Sequence, residues 1–203
     1  MKVLTLIISF AFSVTSFSQT ALEYLNKGVA KYDSGDNSAA IADLNIAIEL
    51  NPRYILAYII RGLSKHRLKD YRGAMSDFSI AIEINPKSIE RTMAYYGRGL
   101  SKRELGDHRG AIADYNKTIE LNPKSAMAYY YRGISKGRLK DYRGAIADYT
   151  KAIELDPNYG DAYYNRGLSK LIINQKNSAC LDLSKSGELG DNSAYDVIRK
   201  YCQ

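Results

Sequence analysis

Apolar and polar residues alternate along this 203-residue chain with the spacing of amphipathic α-helices. One segment has apolar positions that include Tyr130, Ile134 and Leu139, and the segment after it, AIADYTKAIEL, keeps the same helical spacing. The stretch DYRGAIADYTKAIELDPN, which contains this second segment, recurs along the chain. Its copies begin at Asp36, Asp70, Asp107 and Asp141. This internal period predicts an all-α protein made of repeated helix pairs.

Glycine and proline positions set the length of the repeat. Each unit has a glycine after an Arg or Lys, and these glycines are 34 residues apart except between Gly62 and Gly99. The chain therefore divides into five repeats, over residues 21–54, 55–88, 92–125, 126–159 and 160–193. Residues 89–91 form an insertion of nearly one helical turn. We expect it to lengthen the first helix of the third repeat, beginning near Ser88, with a bulged loop as the alternative.

Capping and turn residues mark the ends of the predicted helices. An aspartate begins each copy of the repeated stretch and is well placed to cap the second helix. Gly35 and Gly106, just before two of these aspartates, suit a left-handed helix end. After the fifth repeat, residues 194–202 predict a C-terminal capping helix with one apolar face. That face carries Ala194, Val197, Ile198 and Tyr201.

Residues 1–18 have the pattern of a secretory signal peptide. Lys2 is followed by an apolar run and then by SFS, a small-x-small cleavage site. A membrane span needs about 20 apolar residues, and this run is shorter. We therefore expect cleavage before Gln19 and an exported chain, periplasmic or secreted, whose one domain covers residues 19–203. No later apolar run of the mature chain is long enough to span a bilayer.

The charge balance excludes few partners by itself. The formal charge of +7 becomes 7 − 1 = +6 once Lys2 is removed. A basic excess of this size favours acidic partners. An exported chain seldom meets nucleic acid, however, so no nucleic-acid partner is expected, and the sequence offers neither a metal site nor a cofactor motif.

The two cysteines, Cys180 and Cys202, lie in the last repeat and in the tail. In an oxidising compartment such a pair predicts a disulfide, with two buried thiols as the alternative. The bond would close a loop and stabilise the fold by about 3 kcal/mol. It would also hold the capping helix at the end of the chain.

Four repeated positions, counted from the first residue of each repeat, resemble those of the tetratricopeptide repeat. They are a glycine at position 8, an alanine at position 20, an aromatic residue or Leu at position 24 and, in the first four repeats, a proline at position 32. The resemblance implies a right-handed solenoid of about five helix-turn-helix repeats, stabilised by stacking between neighbours. The chain departs from the family where Tyr replaces the common Trp at position 4 and where Arg or Lys replaces the common Leu at position 7.

Two rows of opposite charge recur in all five repeats. Position 7 is occupied by Lys27, Arg61, Arg98, Arg132 and Arg166, and position 23 by Asp43, Asp77, Asp114, Asp148 and Asp182. Because an unpaired buried charge is costly, we predict pairs between the two helices of each repeat. The lysines of position 11 are expected to be solvated or to lie on tyrosines. A track for a polyanion is the alternative for these basic residues.

The family resemblance implies that the first helices line a concave groove that binds a partner. The residues expected to contact it are Tyr96, Tyr130, Tyr131, Arg67, Arg103, Arg138, Met93 and Met127. Tyr96 and Tyr130 are expected to be exposed. The family's two-carboxylate clamp needs Lys and Asn at positions 5 and 9, and apolar residues or Tyr stand there in this chain. We therefore expect no clamp of that type.

These observations predict a non-enzymatic scaffold that binds a protein or peptide through the concave groove. The alternatives are an envelope-assembly or oligomerisation component that uses the convex face or the ends, and a weak polyanion binder. Catalysis is not expected, because only His66 and His108 are available and no nucleophile has a recognisable setting. His66 falls near the groove, His108 in a turn, and both are expected to be ordinary surface residues. The sequence leaves the partner and the oligomeric state open.

Overall fold

A computed structural model describes residues 20–84 and 90–202 of the chain. The described residues form α-helices joined by short turns and contain no strand, which confirms the all-α prediction. The helices are α1 (20–33), α2 (Asn37–Leu50), α3 (Ile55–Arg67), α4 (Tyr71–Ile84), α5 (Glu90–Glu104), α6 (His108–Leu121), α7 (Ala126–Arg138), α8 (Tyr142–Leu155), α9 (Gly160–Ile172), α10 (Lys176–Glu188) and α11 (Ser193–Tyr201). The predicted signal peptide, residues 1–18, lies outside the described residues.

The chain divides into two compact units, one ending at Ser101 and the other beginning at Lys102. Within each unit the two helices of a repeat pack through the glycine of position 8. A Cβ atom on Gly133 would lie 2.7 Å from Cε1 of Tyr149, and one on Gly62 would lie 2.9 Å from Cε1 of Phe78. The alanines of position 20 are fully buried beside these contacts. Close approach of the paired helices therefore depends on the absence of a side chain at position 8.

The predicted caps are present at the start of the second helices. The Asp141 carboxylate accepts a hydrogen bond from the backbone N–H of Gly144 at 2.9 Å, and the other three aspartates do the same. Gly35 and Gly106 adopt positive φ angles of 87° and 82°, as predicted. Lys69 and Lys140 take the same left-handed conformation in the corresponding turns, with φ angles of 63° and 66°.

The insertion between the second and third repeats contributes to a helix. Helix α5 has 15 residues, whereas α3 and α7 have 13 each, and it includes Glu90 and Arg91 of the insertion. The longer first helix of the third repeat is therefore observed, and a bulged loop over these two residues is not. The start predicted near Ser88 lies outside the described residues.

The C-terminal helix α11 packs on α10, but not in the way that the apolar pattern predicts. Ala194 is fully buried and Val197 and Ile198 are half-buried, whereas Tyr201 is 46% exposed. Placing Tyr201 on the buried face was therefore wrong. Tyr195 packs on α10 instead, because Gly187 has no side chain there and a Cβ atom would lie 2.7 Å from the Tyr195 ring.

A disulfide joins Cys180 to Cys202, whose Cα atoms are 5.8 Å apart. This confirms the predicted bond rather than the alternative of two buried thiols. The bond connects α10 to the residue that follows α11. Across residues 20–84 and 90–202, every helix is too short or too polar to cross a membrane.

Candidate functional site

The arginines of position 7 are held by the aspartates of position 23 in the same repeat. Arg132 donates from Nε to Asp148 Oδ2 at 2.9 Å and from Nη2 to Oδ1 at 2.6 Å. Arg61 with Asp77, and Arg166 with Asp182, make the same two bonds. These three pairs are confirmed. In the first repeat the predicted pair is wrong, because Lys27 lies 2.7 Å from Glu23.

The lysines of position 11 are the second partners of these aspartates. The prediction that they are solvated or lie on tyrosines missed this pairing, since each lysine Nζ lies in an ion pair, although the Lys31 side chain is still 42% exposed. The pairs are Lys31–Asp43 at 2.7 Å, Lys65–Asp77 at 2.8 Å, Lys102–Asp114 at 2.8 Å, Lys136–Asp148 at 2.8 Å and Lys170–Asp182 at 2.7 Å. In the three repeats with a confirmed arginine pair, one aspartate therefore neutralises much of two cationic groups, which leaves those groups poorly suited to a polyanion.

Each of these arginines also connects neighbouring repeats. Arg132 Nη1 donates to Asn116 Oδ1 of the preceding repeat at 2.7 Å, and its guanidinium carbon lies 5.3 Å from the Tyr129 ring centroid. Arg61 reaches Asn45 at 2.7 Å and Arg166 reaches Thr150 at 3.1 Å in the same way. The tyrosine of position 4 therefore supplies a cation–π surface for the arginine of position 7.

Tyr130 is buried, and its expected exposure was wrong. Only 8% of its surface is exposed, because its ring packs 5.9 Å from that of Tyr149 and 4.7 Å from that of Tyr159. Its hydroxyl accepts a hydrogen bond from Asn165 Nδ2 at 3.2 Å. Burial disfavours the phenolate and raises the pKa of Tyr130 to about 12. The same cause raises the pKa of Tyr149 well above its ordinary value.

The second unit contains a cavity of about 750 Å³, called here the basic cavity. It lies between the end of α5, the start of α6 and helices α7, α8 and α9. Three of the predicted contact residues line it, namely Arg103, Tyr130 and Arg138. The remaining lining residues are Glu104, Gly106, His108, Ile134, Gly137, Tyr142, Tyr149, Asn165, Leu168, Ser169 and Ile172.

The polar and charged groups of the basic cavity differ in whether they already bond to other side chains. Arg103 pairs with Glu104, and its guanidinium lies 4.6 Å from the Tyr131 ring centroid. Arg138 is exposed and makes no ion pair with a described residue. His108 begins α6, rather than lying in a turn as predicted, and its Nδ1 is buried without a hydrogen-bond partner in the described part of the chain. Arg138 and His108 are therefore the polar groups most available to a ligand.

The other predicted contact residues do not line this cavity. Tyr131 lies beneath Arg103, and Met127 is 54% exposed but outside the lining. Arg67, Met93 and Tyr96 belong to the first unit. Met93 is exposed there, and Tyr96 is half-buried.

Arg67 and His66 in the first unit each have a partner. Arg67 donates to the backbone carbonyl of Tyr32 at 2.8 Å, and its guanidinium lies 3.8 Å from the Tyr32 ring centroid. His66 Nδ1 lies 3.0 Å from Ser101 Oγ, within hydrogen-bonding distance. Both side chains therefore take part in intramolecular contacts.

A second cavity in the same unit, called here the apolar cavity, has a volume of about 500 Å³. It is lined by Leu168, Leu171, Ile172, Asn174, Lys176 and Tyr201. Sequence reasoning missed this site, because Tyr201 was assigned to the buried face of α11. The signal available in the sequence was the unusual number of large apolar residues near the end of α9, including Leu171 and Ile172.

No group of three or more His, Cys, Asp or Glu side chains in the described ranges is arranged to hold a metal ion. The acidic side chains that are buried here are the aspartates of position 23, and their oxygens already face arginine or lysine. The arrangement therefore offers cavities for organic groups and cationic side chains for an acidic group.

Comparison with known families identifies the repeat. Family models described as tetratricopeptide repeat match residues 25–89, 93–125, 126–159 and 148–180. The chain belongs to the tetratricopeptide repeat family. Proteins built from these repeats mediate protein–protein interactions, and this chain is therefore an interaction scaffold in that general sense.

Solved structures share the tetratricopeptide repeat fold of this chain. MamA from Desulfovibrio magneticus RS-1 has 20% sequence identity over 84% of this chain and 94% of its own, with a TM-score of 0.77. YrrB, described as a TPR protein with an unusual peptide-binding site, has 20% identity over 94% of this chain and 97% of its own, with a TM-score of 0.75. Identities this low show the fold alone. A search of curated proteins gave no match.

Proposed function

We propose that this tetratricopeptide repeat protein is a non-enzymatic scaffold that binds a peptide segment of a partner protein in the basic cavity. The observation that carries the proposal is the state of Arg138. The three arginines Arg61, Arg132 and Arg166 are each engaged by a carboxylate, whereas Arg138 faces the cavity without an ion-pair partner among the described residues. A cationic fork left available beside a cavity is suited to a carboxylate of the ligand.

The lining of the basic cavity indicates an acidic segment with apolar side chains. Ile134, Leu168 and Ile172 provide apolar contact, while Arg138 and His108 provide polar contact. A volume of about 750 Å³ is in the range of sites that enclose a small ligand or a few side chains of a peptide. The peptide-binding site named for YrrB, which shares the fold, also favours a peptide ligand for this chain.

We propose further that the protein acts after export, in the periplasm or outside the cell. The signal-like pattern of residues 1–18 and the Cys180–Cys202 bond both support this location, because disulfides persist in oxidising compartments. Intact-mass measurement of protein recovered from the envelope and the medium tests it. We expect the mass of a chain that starts at Gln19. A protein that stays in the cytoplasm and keeps Met1 or Lys2 would contradict export.

Peptide display tests the binding site directly. Peptides selected on the purified protein are titrated against the parent, Arg138→Glu and the matched control Arg143→Glu, which reverses an exposed charge on α8 outside the cavity. We expect Arg138→Glu to weaken acidic peptides at least tenfold and Arg143→Glu to leave them unchanged, which corresponds to a loss of about 1.4 kcal/mol or more.

Two results would overturn this assignment. Equal binding to the parent and to Arg138→Glu would move the interface to the convex face or the ends. Equal weakening by Arg138→Glu and Arg143→Glu would indicate attraction by net charge rather than a site. In either case each variant must first show the helicity and melting temperature of the parent.

A further inference from the structure

Helix α11 resembles the start of the first helix of a repeat. Ala194-Tyr195 matches Ala162-Tyr163 at the start of α9, although the spacing is 32 residues and not the usual 34. The two alanines are both fully buried, and in each case a tyrosine follows. The capping helix therefore stacks on the fifth repeat as a first helix stacks on its predecessor.

One residue distinguishes α11 from the first helix of the fifth repeat. Five positions after Ala162 the fifth repeat has Gly167, where a Cβ atom would lie 2.9 Å from Leu183 Cγ of the paired helix. Five positions after Ala194 the chain has Arg199. A side chain of that size does not allow the close approach that Gly167 allows between α9 and α10. Among the described residues, α11 packs on α10.

The disulfide supports helix α11. A helix of nine residues is only marginally stable by itself in water, and only Ala194 of α11 is fully buried. Cys202 follows the last residue of α11 directly and is bonded to Cys180 on α10. The bond therefore fixes the C-terminal end of α11, including Tyr201, the residue that forms one wall of the apolar cavity.

The apolar cavity is next to the proposed peptide site. Leu168 and Ile172 line both the basic cavity and the apolar cavity. The apolar cavity has a volume of about 500 Å³, and leucine, isoleucine and tyrosine side chains form most of its wall. Ile172 and Tyr201 remain 56% and 46% exposed there, which leaves large apolar surfaces facing the opening.

From this arrangement we infer that the apolar cavity is a second subsite for the same ligand, and that it takes a large aliphatic or aromatic side chain. The inference rests on the proposed function, since the ligand is the acidic segment bound at Arg138. The Cys180–Cys202 bond builds the subsite by holding Tyr201 against Leu168 and Ile172. The preferred ligand therefore has an acidic residue and, further along, a large apolar residue.

A neutral fluorophore tests the subsite without the peptide. N-phenyl-1-naphthylamine carries no charge, so its binding does not depend on Arg138. We expect the oxidised protein to bind this probe saturably, and Tyr201→Ala to weaken binding at least tenfold, whereas Tyr201→Phe retains it. Leu181→Ala is the matched control, since Leu181 is 73% exposed on α10 and lies outside the cavity.

The contribution of the disulfide is tested with Cys180→Ala/Cys202→Ala. We expect this double variant to lose probe affinity to the same degree as Tyr201→Ala while retaining the helicity of the five repeats. Affinity equal to that of the parent would overturn the role of the bond. Failure of the parent to bind the probe, or equal binding by Tyr201→Ala, would overturn the subsite.

Peptides selected on the parent separate this inference from the proposed function. We expect both Arg138→Glu and Tyr201→Ala to weaken peptides that carry an acidic and a large apolar residue. Weakening by Arg138→Glu alone would leave the proposed function in place and overturn the second subsite. If no peptide binds although the probe does, the proposed function is wrong and the cavity is not part of a peptide site.

Discussion

Arg132 and Asp148, 16 residues apart in sequence, are joined by two hydrogen bonds of 2.9 and 2.6 Å between the two helices of one repeat. Asp148 is 3% exposed, and Lys136 Nζ lies 2.8 Å from Asp148 Oδ2, which also accepts from Arg132 Nε. Arg132 also donates to Asn116 of the preceding repeat. One buried carboxylate thus holds a cationic group that connects both helices of its repeat and the repeat before it.

Asp148→Ala is expected to destabilise the fold by about 3 kcal/mol or more, because it leaves two largely buried cations without their carboxylate. The matched control is Glu154→Ala, which removes a surface carboxylate from its pair with Lys151 in the same helix. That exposed pair is worth about 0–1 kcal/mol. Urea unfolding measures both variants. Similar midpoints for Asp148→Ala and the parent would show that the contacts of Asp148 with Arg132 and Lys136 do not stabilise the fold.

The two glycines of α7 predict opposite outcomes for the same substitution. Gly133→Ala places a Cβ atom 2.7 Å from Tyr149, and we expect a loss of about 1–3 kcal/mol from this overpacking. Gly137→Ala meets only Ala145 Cβ at 4.0 Å, so the helix should gain about 1 kcal/mol from the better helix former. Thermal unfolding of the two variants gives the comparison. A loss of the same size at both positions would contradict the packing explanation.

Replacing a left-handed turn residue with glycine should stabilise the protein. Lys140 has a φ of 66° in the turn where the third repeat has Gly106 with a φ of 82°. A non-glycine residue pays about 1 kcal/mol for this conformation. Lys140→Gly is expected to stabilise the protein by about 0.5 kcal/mol, after the entropy of the unfolded glycine is subtracted.

The reverse change, Gly106→Ala, serves as the control for that turn. We expect it to destabilise by about 1 kcal/mol, because no neighbouring atom lies within 4 Å and only the backbone conformation opposes the side chain. Differential scanning calorimetry of both variants is sufficient. If both substitutions lower the melting temperature, the φ angles are not the determining factor.

The fold could be predicted from the sequence because the pattern of one helix pair recurs several times along the chain. The aspartates that cap the second helices and the pairing of Arg132 with Asp148 follow from positions that recur in phase. The role of Lys136 was missed, because a lysine one turn after an arginine gives no sign that both reach the same carboxylate. Asn116 was missed for a related reason. Asn, Ser and Thr occupy the same position in different repeats, and what they share is that each accepts a hydrogen bond from the arginine of the next repeat.

The candidate site was predicted less well than the fold. Arg138 and Arg103 line the same cavity, since their positions on the first helices follow from the repeat, while their contact with a partner stays a prediction. The burial of Tyr130 depends on Tyr149 and Tyr159, which lie on a different helix and in a turn. The position of Tyr201 depends on the disulfide between Cys180 and Cys202. Such contacts join side chains of separate helices and turns, and the apolar spacing within one helix does not reveal them.

The raised pKa of Tyr130 predicts how stability depends on alkaline pH. Its folded-state pKa is about 12, while an unfolded tyrosine has a pKa of about 10. Between these values the unfolded chain releases the proton and the folded protein keeps it, so the free energy of unfolding falls as the pH rises. Below pH 10 this contribution is fully present. By pH 11 Tyr130 should account for a loss of about 1 kcal/mol.

Comparison with Tyr130→Phe isolates this contribution, because the other ionisable groups are common to both proteins. At pH 8 the variant should be less stable than the parent by about 1 kcal/mol, since Asn165 Nδ2 loses one of its two acceptors and keeps the Asp161 carbonyl. Between pH 8 and pH 11 the difference should shrink by about 1 kcal/mol, as the parent alone loses the stability linked to this proton. Urea unfolding followed by circular dichroism at both pH values measures the two differences. A difference that stays constant from pH 8 to pH 11 would mean that Tyr130 ionises alike in the folded and unfolded chains, and that its hydroxyl is hydrated rather than enclosed by Tyr149 and Tyr159.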